Sequence, residues 1–208
     1  YFPISRIVIM PDSFSSFFKY LTVSEGDEDW QIYCTDAGHT QIPPGTTYPP
    51  RAAEHPPQYS RNWEKGRILN EYQLVYITRG QGLFKTEGDR QFPIRVGTAF
   101  MLFPGIWHWY APDLQTGWEE YWAGFNGAYP RLLVEKGFFL PAEPVHELGL
   151  DEAILHAFTE ILDLVARQPP GYQKRVGALI IEILASVVGK GEQRRQDSRN
   201  ESLVHKAK

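Results

Sequence analysis

One cysteine, Cys34, stands in the 208 residues of this chain. A lone thiol closes no internal disulfide and builds no thiolate metal cage, which suits a reducing compartment; the expected location is cytoplasmic. Long apolar runs are missing too. No uninterrupted stretch is long enough to span a bilayer, so no membrane partner is expected. The opening "YFPISRIVIM" holds one brief apolar patch and no small-residue cleavage pattern, and so reads as no signal peptide; it lacks a starting Met, and Met10 is an alternative start. Positive charge is scarce, with 21 Lys and Arg against 25 Asp and Glu and a net charge of −4. That balance gives no basic footprint for nucleic acid, so this chain by itself is expected not to hold DNA.

The usual marks of catalysis are also absent. The six histidines are His39, His55, His108, His146, His156 and His205, and no two occur as HxH or HxxH. A metal-dependent barrel needs several histidines and a carboxylate converging on one point, so neither a metal nor another cofactor is expected. There is no GxSxG elbow, and no phosphate-cradling glycine loop precedes a helix. Glu119 and Glu120 are neighbours on an expected strand; they point to opposite faces and do not act together. The expectation is a protein without catalytic residues, not an enzyme.

Turn formers, by contrast, are plentiful. Gly and Pro number 18 and 16, most of them before residue 150, which points to many short strands. "FFKYLTVS" (17–24) and "WQIYCT" (30–35) read as strands around the acidic turn "EGDED". The proline-rich "IPPGTTYPPRAAEHPPQYS" reads as a stiff loop across the domain, with a ligand for a proline-recognising domain as the sharper alternative. From Tyr72 onward "YQLVYITR", "LFKTE", "RQFPIR", "TAFMLF", "IWHWYA" and "WEEYWAGF" follow one another as short strands, separated by turn signals such as "GQG", "GD" and "PDLQTG". This is the meander of an all-β barrel or sandwich. Pro93, inside one strand, places that strand at an edge or a bulge.

After Gly149 the period changes. Ile154, Leu155, Phe158, Ile161, Leu162 and Val165 form one helical stripe with Asp151 as N-cap. "PPGY" breaks it, and Val176, Leu179, Ile180, Ile183, Leu184 and Val187 mark a second helix ending at Gly189 and Gly191. A short Pro-Gly turn packs such helices antiparallel. The second stripe is broad enough to cover the first helix and still offer Leu179, Ile180, Ile183, Leu184 and Val187 to a second copy of the chain; the alternative is that both stripes are consumed within the monomer. "KGEQRRQDSRN" is polar and aperiodic and reads as a linker, and "ESLVHKAK" as the opening turns of a further helix. The expected division is therefore a barrel over 14–149, a helical hairpin over 150–190, a linker over 191–199 and the start of another unit over 200–208.

Polar and aromatic residues recur at period two in the last barrel strands. His108 and Tyr110 share one face, and Trp118, Glu120 and Trp122 share one face of the next strand. Joined as a hairpin by "PDLQTG", all five line one cavity. An aromatic face with a carboxylate, an imidazole and a phenol suits a small polyhydroxylated ligand, because rings stack while oxygens and nitrogens take hydroxyls. The other reading makes the aromatics ordinary core, His108 a hydrogen-bonded structural residue and Glu120 a surface group. A buried Glu120 requires a partner, and Arg67 and Arg61 are the nearest candidates besides a ligand.

Three segments, "EYQLVYITRGQGLF", "VGTAFMLFPGIWHWYAP" and "GWEEYWAGFNG", taken in this order and spacing, resemble the sensor domain of AraC-type (arabinose-regulator family) transcription factors. The likeness covers roughly 14–190 and is strongest over 67–127. It implies a cupin-like (jelly-roll) barrel, a helix pair used for dimerisation, and a C-terminal module with two helix-turn-helix motifs whose first helix "NESLVHKAK" resembles. In sugar-responsive members a histidine after an "FPPG"-like turn and a tyrosine two residues on line the pocket, and these match His108 and Tyr110. A pair in the following strand matches Glu120 and Trp122. The arabinose sensor has a histidine where this chain has Glu120, so arabinose itself is not carried over.

The resemblance thus implies an effector-binding, dimerising domain for a sugar or sugar-like molecule, with DNA reached only through the missing module. A metal-free cupin enzyme, such as a sugar isomerase or epimerase with His108 as base, is the alternative. A dimerisation module with a vestigial pocket is the third.

Overall fold

A computed structural model describes residues 16–49, 65–88 and 90–206, the last six as backbone only. Arg61, most of the proline-rich segment beyond Tyr48, and the end of the tail lie outside the described residues.

Among the described residues nine strands build two antiparallel sheets that share one strand. They are β1 (Ser16–Tyr20), β2 (Tyr33–Ile42), β3 (Arg67–Ile68), β4 (Tyr72–Thr86), β5 (Arg90–Arg95), β6 (Thr98–Leu102), β7 (Trp107–Pro112), β8 (Trp118–Asn126) and β9 (Val145–Glu147). The first sheet runs β1-β2-β8-β4-β6-β9, while β5, β7 and β3 belong to the second, where β5 and β7 flank β4 and β3 pairs with β7. The domain is mainly antiparallel β with C-terminal helices, as expected.

Strand β4 is the hinge between the sheets. Its first half pairs with β6 and β8, and its second half with β5 and β7. "GQG" is therefore not a turn between two strands but a bend within one. The register slips between Ile77 and Arg79, and Gly80 follows at φ 76°, where a Cβ would stand 2.0 Å from the Gly117 carbonyl oxygen. Only glycine combines that left-handed backbone with such a close approach. Edge strand β5, which pairs only with β4, carries Pro93 without losing a central ladder bond.

"PDLQTG" likewise departs from the hairpin expected of it. β7 and β8 do not pair with each other; the segment crosses from the second sheet to the first. Asp113 accepts from the backbone N–H of Gln115 (2.8 Å) and Thr116 (3.2 Å), holding the crossover tight. The two strands consequently face one another across the sandwich.

Two apolar layers result. Between the sheets lie Ile42, Val75, Ile77, Phe84, Ile94, Phe100 and Tyr110. On the outer face of the first sheet, Leu74, Tyr76, Met101, Ala123 and Phe125 pack against the helices. Helix α1 (Glu25–Glu28) is one turn within the acidic segment, and α2 (Ala128–Glu135) follows β8. Helix α3 (Glu152–Arg167) starts at Asp151, whose carboxylate accepts from the Ile154 N–H at 3.0 Å. The Tyr76 hydroxyl donates to the Gly149 carbonyl and accepts from the Asp151 N–H, tying this helix start to β4.

Helix α4 (Tyr172–Lys206) alters two expectations. It does not end at Gly189 and Gly191 but continues through residues 191–199, so that segment is helical rather than a linker. Its Gln, Glu and Arg residues are good helix formers. They are pinned by Lys190 on Asp151 (2.8 Å), Arg194 on Glu147 (3.0 Å) and Gln193 on Asp197 (3.0 Å). Sequence periodicity reports an apolar stripe, and a helix held by polar contacts has none.

The stripe assigned to a partner is also used differently. Ile180, Ile183, Leu184 and Val187 are at most 2% exposed within the single chain, packed on the first sheet and α3, and only Leu179 of that set stays partly exposed. These four side chains belong to the intramolecular core. At the start of the same helix Gln173 takes the role of a missing strand neighbour. Its amide accepts from the Cys34 N–H and donates to the Cys34 carbonyl, both at 2.9 Å, beside the register slip in β2.

Candidate functional site

Alternation along β8 turns Trp118, Glu120 and Trp122 toward the interior and Glu119 and Tyr121 toward the helices. Glu119 meets His39 (2.9 Å) and Gln41 (2.8 Å) on that outer side. His108 and Tyr110, on β7 in the opposite sheet, also face inward and are 2% and 5% exposed. Arg67 on β3 is paired in register with His108. The six residues picked out in the sequence therefore look into one interior from three strands.

They form two connected groups. In the first, the Arg67 Nε–H donates to His108 Nε2 (3.2 Å), and a second guanidinium N–H donates to the Tyr110 hydroxyl (3.0 Å). An arginine only donates, so His108 Nε2 must be the acceptor; its proton sits on Nδ1, 3.2 Å from the Ile106 carbonyl. Tyr110 is hydrogen-bonded to Tyr48, whose own hydroxyl donates to both Glu120 oxygens at 3.0 and 3.1 Å. Arg67, Tyr110, Tyr48 and Glu120 thus make one hydrogen-bonded chain. Tyr48, Tyr110 and Trp118 stand around it with ring centroids 5.8–6.1 Å apart.

The second group centres on Asp36. Its carboxylate accepts from the Trp122 indole N–H (2.7 Å) and the Gln73 amide (3.1 Å), and it shares a hydrogen bond with Glu71. Trp122 lies flat on Gly38, where a Cβ would stand 2.2 Å from the indole. Gly38 opposes Trp122 across the ladder, so the missing side chain is what seats the ring.

Burial dominates the electrostatics. It pushes the Glu120 carboxyl up to about 8, although Tyr48, Arg67 and Trp118 pull the other way. Burial, helped by the Arg67 charge, holds His108 down at about 3, and burial raises Tyr110 to about 12. Asp36 is raised by burial and by the neighbouring Glu71 charge. Near neutral pH Glu120 is a carboxylic acid and His108 a neutral imidazole. Among the described residues the Gln73 side-chain oxygen has no hydrogen-bond partner, and the Trp118 indole nitrogen lies beside Glu120 without a well-aligned bond. Buried polar groups are normally paired, and these two face the shared interior.

Sequence reasoning missed Tyr48, Asp36 and Gln73. The expected strand ends at Thr35, so Asp36, Gly38 and Thr40 fall off the inward face of a strand that in fact continues to Ile42. An acidic residue two positions before a glycine and four before Thr40 was the available signal. Tyr48 lay in the proline-rich segment, where no period exists to assign a direction. Among the described residues, no three His, Cys, Asp or Glu side chains converge as a metal site. His146 lies on β9, with His39 on β2 facing the helices, so the histidines are spread over separate elements. No helix among the described residues is long and apolar enough to cross a membrane.

A two-sheet antiparallel sandwich with polar side chains turned inward and helices against one outer face defines a mainly-β domain. The family model described as the AraC-like ligand binding domain matches residues 51–184, and the chain belongs to that family. Among solved structures it is similar to the protein YhaK from Escherichia coli, with 12% identity, a TM-score of 0.43, and coverage of 66% of this chain and 52% of that one. The match thus spans about half of YhaK. A cupin-like protein from Thermotoga maritima is similar at 16% identity and a TM-score of 0.33, over 65% of this chain and 79% of its own. An RmlC-like cupin from Desulfovibrio desulfuricans is similar at 11% identity and a TM-score of 0.32, over 59% and 94%. No curated protein matches the sequence.

Proposed function

We propose that this chain is the effector-sensing and dimerisation part of a bacterial AraC-type transcription regulator. It takes a sugar or sugar-like small molecule between its two sheets, and DNA contact is left to a separate C-terminal module. The observation that carries the reading is the inward cluster of Arg67, His108, Tyr110, Tyr48, Glu120, Trp118 and Trp122, which offers donors, acceptors and ring faces together with unpaired buried polar atoms. Membership of the ligand-binding family supports it. Such a regulator works in the cytoplasm.

The alternative, a metal-free sugar isomerase or epimerase with His108 as base, fares less well on chemistry. A general base needs a free lone pair and a pKa near the working pH. The Nε2 lone pair of His108 is engaged by Arg67, and its basicity is depressed to about 3.

Self-association in this reading uses a different helix face from the one expected. Ala178, Ile181, Ala185 and Val188 recur at helical spacing along α4 and are partly or fully exposed. Ile181→Lys is expected to give a folded monomer by light scattering, and an unchanged monomeric wild type removes the dimer from the proposal.

The decisive measurement is a thermal-shift screen against mono- and oligosaccharides. A ligand at a hundredfold excess over its Kd stabilises by about 2.7 kcal/mol, a shift of several degrees. Stabilisation lost in Trp122→Ala supports the interior site. A screen with no stabilising carbohydrate overturns the sugar assignment.

A further inference from the structure

We infer that the preferred ligand is a polyhydroxylated amine, whose protonated nitrogen pairs with Glu120 while an adjacent oxygen accepts from the Trp118 indole. This rests on the effector-binding reading above and narrows it to a chemical class.

Glu120 is a buried carboxyl, 5% exposed; the Tyr48 phenol donates to both its oxygens, and the Trp118 indole lies close enough to favour its ionised form. No cationic side chain among the described residues lies within ion-pair distance of it. Arg67 is committed to His108 and Tyr110 on the other wall. The surrounding groups are therefore Tyr48 from the segment after β2, Tyr110 on β7, Arg67 on β3, Trp118 on β8, and Thr40 and Ile77 in register on either side. A carboxyl flanked by aromatic rings and without its own cation is a recognised setting for an ammonium group, because ring faces and carboxylate both attract it.

The Trp118 nitrogen, on a side chain only 2% exposed, lies beside Glu120 without a well-aligned hydrogen bond to any described residue, and is the second sign that something is taken up here. A donor beside Glu120 asks for an oxygen next to the charge it recognises. Vicinal amine and hydroxyl groups, as on an amino sugar, meet both demands at once. A neutral polyol satisfies the indole and leaves Glu120 protonated, so it gains no charge-assisted bond. In the empty protein burial keeps Glu120 protonated, so pairing with a cation expels that proton and pairing with a neutral hydroxyl does not.

Isothermal titration calorimetry at pH 6.5 separates the cases, using glucosamine, galactosamine and mannosamine beside glucose, galactose and mannose. Repeating each titration in buffers of different ionisation enthalpy counts the protons. The expected result is that one amine binds roughly tenfold or more tightly than its parent hexose and releases close to one proton per site. In Glu120→Gln both the preference for the amine over its parent hexose and the proton release should vanish. A hexose that binds as well as its amine, without proton release, overturns this inference and leaves the sugar-sensor reading intact. An amine preference that survives Glu120→Gln overturns it as well. If no compound in either set binds, the sugar reading falls and takes the inference with it.

Discussion

Replacing Glu120 by Gln removes a buried proton-binding site while keeping its shape, and the effect is readable in how stability depends on pH. Glu120 titrates at about 8 in the folded chain against 4.5 for an ordinary glutamate carboxyl, so between those values the folded state holds a proton that the unfolded state has lost. Stability contributed by that proton is complete below pH 4.5 and falls by about 1.4 kcal/mol for each pH unit until pH 8. His108 works in the opposite sense. Held at about 3 against 6.5, it is neutral when folded and protonated when unfolded, so its contribution rises with pH and is complete by 6.5. The two slopes offset each other between pH 4.5 and 6.5. Above 6.5 the Glu120 slope is no longer compensated, and the remaining one and a half pH units amount to about 2 kcal/mol. Asp36, raised by burial and the Glu71 charge, acts in the same direction as Glu120 and remains in the variant. The assay is urea unfolding of wild type and Glu120→Gln at pH 6.5 and 8.0 at matched ionic strength. The wild type should lose about 2 kcal/mol more than the variant over this interval. Equal losses in the two proteins would refute the assignment of Glu120 as a buried neutral acid.

Gly38→Ala places a methyl 2.2 Å from the Trp122 indole, so the ring must leave its seat; about 1–3 kcal/mol of stability and most of the ligand affinity should go with it, read by urea unfolding and by tryptophan fluorescence. Gln173→Ala removes the side-chain partner of the Cys34 N–H and carbonyl and should cost about 1–3 kcal/mol per group left unpaired, measured by chemical denaturation. Ile183→Lys puts an ammonium into the layer between the first sheet and α4, and circular dichroism should report loss of folding rather than a folded monomer.

Local pattern was enough for much of this molecule. Alternation along "IWHWYA" and "WEEYWAGF" set His108 with Tyr110 and Trp118 with Glu120 and Trp122, because a strand turns successive side chains to opposite faces whatever it pairs with. Asp151 capped its helix as read, since a cap depends on the next three residues alone. Mostly-β order followed by helices was legible for the same reason, as periods of two and 3.6 are properties of short windows.

What pairs with what was decided only by the tertiary structure. Nothing local distinguishes a glycine that ends a strand from one that bends it, so β4 looked like two strands until Gly80 was seen against Gly117. "PDLQTG" had the composition of a hairpin turn, yet its strands joined different sheets, and that difference set His108 opposite Glu120 rather than beside it. The stripe on α4 announced burial but not its partner, and the sheet claimed it. Tyr48 and Asp36 entered the site through contacts 72 and 86 positions away along the chain, a separation at which no window of sequence carries a signal. Sequence by itself determined which way each side chain turns, because direction is written in backbone geometry over a few residues. Which side chains meet is settled by closure of the whole sandwich, where one strand crossing between sheets relocates every group that follows it.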